Sequence, residues 1–326
     1  MKPSTAIVVA TRPQDEMRDL IDSRWAKSTQ RNYNVGWRRF QDWCREAGQS
    51  PLPAEPTTVA QFLLEQSKLH KHFSRIQASY GAIRWVHVRL GHPSPTNDDR
   101  VKLVMSAVKR KLGLRNEGKN PLHGDELVRT IRAIDRSTLT GKRDAALILV
   151  GFWLALRRDS LMHLRADASD LKLAPHGYYS IFLDTSKTDQ EKVGRWFQLE
   201  RRPRSILCPV KALADWLKAS GITKGAIFVK VMPNGGLWAS GLEGHAVAII
   251  IKKHAEAAGL DPKLFSGHSM RSGFVTQAME DGATAEAVMD VTGHTSTQML
   301  MRYWRHHGTP SKQSAAKKIR MPGEEQ

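Results

Sequence analysis

Cysteine is almost missing: Cys44 and Cys208 are the only 2 in 326 residues, and they lie far apart. Such a pair supplies neither a disulfide framework nor the clustered ligands of a zinc site. Acidic residues are also short, with 50 lysines and arginines against 32 aspartates and glutamates, a net charge of +18. That excess favours a polyanion, and a phosphate backbone is the commonest one. A basic membrane-binding protein is the other class to consider. The longest apolar run, from Ala145 to Leu156, is roughly half of what a bilayer span requires. No Walker-type glycine loop, dinucleotide fingerprint or acidic cluster fit for magnesium is present, and no internal repeat stands out. The opening MKPSTAIVVATRPQDE has too short an apolar patch and too early an acidic turn for a signal peptide. The expectation is a reduced, cytoplasmic protein with no membrane partner.

What is there falls into two blocks. Residues 1–13 read as a loose leader. From Ser28 onward Tyr33, Trp37, Phe40 and Cys44 recur at spacings of three and four, the period of one helix face. Further helices are predicted from Thr57 to about Lys71 and from about Ser74 to Leu90, the latter with Ile76, Tyr80, Ile83 and His87 on one stripe. A fourth, capped by Asn97, carries Val101, Val104, Met105, Val108 and Leu112. This predicts a helical bundle over residues 1–115 without a catalytic constellation. Its candidate DNA contacts are Arg31, Arg38, Arg39, Arg84, Lys109 and Lys111, although by composition alone a basic helix face is more often solvated surface. The stretch GLRNEGKNPLHG (113–124) is glycine-rich and poor in apolar residues, and a linker is expected at 116–124.

The second block, 125–326, mixes element types. Helices are predicted at Asp125–Ile134, Arg143–Leu156, Pro209–Ala219 and Ala246–Ala258, and strands near Asp170–Leu173 and over Tyr178–Leu183 and Val193–Leu199. A polar turn carrying Lys187 joins the last two strands. Met232–Gly244 reads as an exposed glycine-rich loop, and His245 and His254 as surface or packing residues. The fold class is therefore mainly α with two domains, the second an α+β domain with a small antiparallel sheet.

Chemistry concentrates between Leu264 and Arg305. His268 and Arg271 stand three apart in a stretch that Ser266 or Ser269 can cap and Gly282 can end, so they share a helix face. A short helix is predicted from Ala285 to Val291, then His294 follows Gly293, and a helix opened by Ser296 presents Tyr303. A fixed cation, two imidazoles and a phenol are what a phosphodiester exchange needs: charge neutralisation, proton transfer and a nucleophile. Arginine's planar fork suits two phosphate oxygens at once. Taken singly, His-x-x-Arg is usually a solvated helix face and a late tyrosine usually packing; the order and spacing argue otherwise.

GHSMR, then GH, then Tyr303 resembles the box II region of the tyrosine recombinases, the phage-type integrases. The resemblance extends upstream. Arg157, in LALRRDSL, matches that family's first arginine, with Ser160 where an acidic residue is usual and Asp159 one place earlier. SKTDQ resembles the hairpin that bears its mobile lysine, here Lys187. The resemblance implies a helical core-binding domain followed by a catalytic domain. It implies that Tyr303 attacks the scissile phosphate to form a 3′-phosphotyrosyl link, that Arg157 and Arg271 stabilise the transition state, and that His268 helps take the tyrosine proton. His294 would hydrogen-bond a non-bridging oxygen and Lys187 would protonate the leaving 5′ oxygen. Double-stranded DNA with a specific site, a homotetramer on DNA and a Holliday junction follow from it, in a bacterial or phage-encoded protein at the nucleoid. No cofactor or metal is expected, because the phosphotyrosine conserves the energy of the broken bond. Two other readings of this fold are a DNA-binding protein that does not cleave and a relaxing enzyme of the type IB topoisomerase kind.

Overall fold

The computed structural model describes residues 27–113, 118–184, 194–301 and 303. The chain divides into two compact units, 1–117 and 118–326.

The described part of the first unit is helical. Its α1 (Lys27–Glu46), α2 (Pro56–Leu69), α3 (Phe73–Arg89) and α4 (Asp99–Leu112) enclose one apolar cluster. The 3–4 spacing does what it predicts: Phe40 and Cys44 are fully buried, and Phe40 meets Phe62 edge-on at 5.0 Å. Proline at the start of α2 fits a helix's first turn, where its missing N–H is no loss. The cap of α4 is Asp98, whose carboxylate accepts from the Arg100 N–H, rather than Asn97 one residue earlier. Asn97 is instead the last residue of a short 3-10 turn.

The second unit is built around α6 (Leu139–Trp153), which is buried along almost its whole length. A helix that is apolar on every side belongs at the centre of a core. Around it lie α5 (Gly124–Arg132), α7 (Arg158–Met162), α8 (Pro209–Ser220) and α9 (Gly244–Ala257). The chain continues through α10 (Ser269–Glu280), α11 (Ala285–Thr292) and α12 (Thr297–Met301). A three-stranded antiparallel sheet runs in the order β1 (Leu171–Leu173), β2 (Tyr179–Leu183), β3 (Arg195–Leu199), with Ile181 opposite Phe197 and Leu183 opposite Arg195. Alternation on β2 buries Tyr179, Ile181 and Leu183.

Two further expectations change. Met232–Gly244 is not all loop: β5 (Leu237–Gly241) pairs antiparallel with β4 (Val229–Val231) across the Asn234-Gly235-Gly236 turn. The stretch read as a linker is partly docked. The Asn120 N–H donates to the Leu264 carbonyl and the Leu122 N–H to that of Ser269, and Leu122 is fully buried. The backbone of Leu122 lies so close to Gly273 of α10 that any side chain there would collide with it. His254 is buried, its Nε2–H donating to Asp144 at 2.8 Å, while Arg143 holds the other carboxylate oxygen at 2.6 Å. This paired cluster satisfies charges that would otherwise be costly inside the core.

Candidate active site

Arg271 sits in the first turn of α10 and is 3% exposed. Its guanidinium is held from two sides. Nη1 donates to the Ala155 carbonyl at 2.7 Å, and Nη2 donates to the Thr292 carbonyl at 2.7 Å and to His294 Nε2 at 2.9 Å. The buried Nε–H has no acceptor among the described residues.

The Ala155 carbonyl reaches Arg271 because the chain turns sharply after α6. Leu156 N–H bonds back to Gly151, and Ala155 takes the left-handed conformation, φ 47°, that glycine usually fills. This ends the helix three residues before the expected Leu156. It also delivers Arg157, half-buried, to the start of α7. Ser160, at the position where an acidic residue would be usual, is buried, whereas Asp159 is exposed. Arg158 faces solvent and lies 3.5 Å from Asp159.

His294 is carried in by the end of α11. Gly293, at φ 66°, terminates that helix in the left-handed region and turns the chain so that the imidazole lies under Arg271. The ring is 5% exposed, and its Nδ1 lies 2.8 Å from the Thr292 hydroxyl. Tyr303 closes the group: its ring centroid is 4.9 Å from that of His294 and 5.4 Å from the guanidinium carbon of Arg271. His268 stands at the N-terminal edge of α10, with its side chain open to solvent.

Electrostatics follow this crowding. Burial, reinforced by Arg271 and Arg157, pushes the His294 imidazole down to about 4. Burial and the nearby Arg157 bring Arg271 down to about 10, while Tyr303 acts the other way. His268 is lowered by the density of protein around it and then by Arg158, Arg271 and Arg157, with Asp159 opposing. Its exposed ring makes the neighbouring cations the cause that counts most there. The histidines are thus neutral near pH 7, and the site's fixed positive charge lies on arginine.

Beside this group opens a cleft of about 310 Å³, lined by Arg157, Arg271, Arg195, Ser160, Thr292 and Gly293 among others. Arg195, on β3, was not singled out by sequence. It stacks on Phe197 and lies 3.5 Å from Asp290 of α11. Of the candidate catalytic residues, Arg157, Arg271, His294 and Tyr303 come together and His268 stands at the rim. Lys187 lies outside the described residues. In the first unit Arg31, Arg38, Arg84, Lys109 and Lys111 are exposed, whereas Arg39 donates to Ser79 Oγ at 3.0 Å and serves the α1–α3 packing. Among the described residues no group of His, Cys, Asp and Glu could hold a metal, and no helix is long and apolar enough to cross a membrane.

The sequence pattern of the Phage integrase family matches residues 120–309. The chain is 35% identical over 289 residues to an integrase/recombinase xerD homolog of Selenomonas ruminantium, covering 87% of this chain and 83% of that protein. It is 24% identical over 288 residues to recombinase cre of Escherichia phage P1, covering 82% and 81%. In fold it resembles the Tn1549 transposon integrase in complex with transposon right end DNA, with a TM-score of 0.59 at 15% identity over 93% of this chain and 98% of that one. A lambda integrase dimer bound to a COC' core site gives 0.56 at 15% identity, over 91% and 95%. The chain belongs to the phage integrase family, the tyrosine recombinases.

Proposed function

We propose that this protein cuts and rejoins double-stranded DNA at a specific site through a 3′-phosphotyrosyl intermediate on Tyr303. The observation that carries this reading is the packing of Tyr303 against both Arg271 and His294 at the edge of an arginine-lined cleft. A phenol is a weak nucleophile in water, and it needs a base to take its proton and fixed positive charge to offset the charge that develops as it attacks. Arg157 and Arg271 would take the charge that develops on the phosphoryl oxygens, where preorganised donors are worth most. The unpartnered Nε–H of Arg271 supports this role, since a buried donor without an acceptor is costly until one arrives.

In this reading His268, at the open rim and neutral near pH 7, helps accept the phenolic proton. His294 hydrogen-bonds a non-bridging oxygen. Lys187 protonates the 5′ oxygen as it leaves. The free hydroxyl of a partner strand then attacks the phosphotyrosine, and two such exchanges on a homotetramer pass through a Holliday junction. The helical first unit grips the duplex through its exposed Arg31, Arg38, Arg84, Lys109 and Lys111, and the net charge of +18 supports a large phosphate footprint. Arg39, spent on Ser79, contributes to that face through packing. We place the protein at the bacterial nucleoid or on phage DNA.

The test incubates the purified protein with DNA flanking its own gene and looks for a detergent-resistant adduct. Wild-type protein should give one and Tyr303→Phe none, with DNA binding near wild type. An adduct that persists in Tyr303→Phe would remove the tyrosine from the nucleophile's role. Tight site-selective binding without any adduct would instead support a non-cleaving DNA-binding protein.

A further inference from the structure

The hydrogen bonds around His294 determine which of its nitrogens carries the proton. On one side stands Arg271 Nη2, 2.9 Å from Nε2. A guanidinium is charged and can only donate, so Nε2 must accept. On the other side stands the Thr292 hydroxyl, 2.8 Å from Nδ1. That hydroxyl lies 2.7 Å from the Val288 carbonyl, which can only accept, so its hydrogen points to Val288. What it offers His294 is a lone pair, and Nδ1 must donate. The two ends of the ring agree without reference to each other: His294 is neutral, with its hydrogen on Nδ1.

We propose that Thr292 is a positioning residue for the site: its hydroxyl holds His294 in the Nδ1–H form, which makes Nε2 the acceptor that clamps Arg271. The same residue's carbonyl receives the second hydrogen of that Nη2. Thr292 therefore acts on Arg271 twice, once through its backbone and once through the imidazole. The groups facing the ring are Arg271 from α10, Arg157 from the start of α7 and Tyr303 after α12. The two cations disfavour a second proton, in keeping with the low basicity of the ring. A phosphate oxygen is itself an acceptor. From this starting form His294 donates to it only after gaining one proton from solvent at Nε2, and the new N–H releases Nη2 of Arg271 to turn to the phosphate as well. The clamp thus keeps the arginine in place in the free protein and lets go when the anion arrives.

Nitrogen NMR of [15N]histidine-labelled protein, without DNA at pH 7, tests the tautomer directly, because protonated and unprotonated ring nitrogens resonate far apart. Wild type should show a protonated Nδ1 and a bare Nε2 at His294. Thr292→Ser, which keeps the hydroxyl, should match it, and Thr292→Val, which leaves Arg271 alone to favour that form, should shift the Nδ1 resonance and weaken the preference. A wild-type ring protonated at Nε2, or a Thr292→Val spectrum identical to wild type, would overturn the proposal. A second readout rests on the Tyr303 reading: the rate of adduct formation should fall about tenfold in Thr292→Val, one hydrogen bond's worth, and recover in Thr292→Ser. Its pH profile should change with Thr292→Val, which loss of packing alone would not cause. If wild type forms no adduct, the reading of the nucleophile fails while the nitrogen spectra still decide the tautomer.

Discussion

Each unit has a buried histidine of lowered basicity, His87 in the first and His294 in the second, and the partners differ. In the first unit, fully buried His87 donates from Nδ1 to the Ile83 carbonyl at 2.8 Å and accepts at Nε2 from the Ala54 N–H at 3.0 Å. Both partners are backbone, so the ring ties α3 to the segment ahead of α2 and its hydrogen bonds are complete. In the second unit, His294 rests between a threonine hydroxyl and an arginine, beside a tyrosine. Its partners are side chains, one of them charged, on residues that line a cleft. Burial and a satisfied ring are common to both; side-chain partners, one of them charged, are what set His294 apart.

The largest expected effect breaks the second arrangement. Arg271→Ala should lower the rate of DNA cleavage on the order of 10²–10³-fold, as for removal of a preorganised donor to a developing anion. Single-turnover cleavage measures it, and a rate within a few-fold of wild type would show that Arg271 only supports the fold. His87→Ala should do the reverse. It orphans the Ala54 N–H and opens a cavity, costing about 2–4 kcal/mol of stability in urea. The cleavage rate of the folded fraction should be unchanged.

Acid should weaken both units. His294 titrates near 4 in the folded chain against about 6.5 when unfolded, so between those values the unfolded chain binds more protons and stability falls as pH falls. The loss for the second unit is on the order of 2–3 kcal/mol by pH 4. His87 is lowered in the same direction by its burial and by His92, with the Ile83 carbonyl opposing, so the first unit should follow the same sign. Urea denaturation at pH 7 and pH 5, probed separately in each unit, checks this; stability that rises on acidification would contradict it. The smallest effect sharpens the comparison at the backbone. Ala155→Gly relieves a left-handed alanine and should raise stability by up to about 1 kcal/mol, with the Arg271 contact kept because it is made by a carbonyl. A loss of more than that would mean the buried methyl matters more than the strain.

How much of this was legible in the sequence depends on range. The order of His268, Arg271, His294 and Tyr303 lies within one stretch, and helix period with one glycine stop brings three of them together. Helices with a clear apolar stripe were equally legible, as were β2 and β3. The β4–β5 hairpin was not, because β4 is three residues long and the glycines of its turn read as loop. Docking of Leu122 was hidden because its partners, Leu264, Ser269 and Gly273, are far along the chain. Thr292 looked like a helix end, which it is; that its hydroxyl also sets an imidazole depends on the left-handed turn at Gly293. Arg195 was one basic residue among several near a turn until β3 placed it on the cleft.

The most direct measurement identifies the residue that bears the DNA. A nicked substrate made from the flanking sequence, which traps the cleaved state by releasing a short fragment, should yield a covalent complex for proteolysis and mass spectrometry. Tyr303, and no other residue, should carry a nucleotide phosphate. The same modification on another tyrosine or on a serine would contradict it, because only Tyr303 packs against Arg271 and His294 among the described residues.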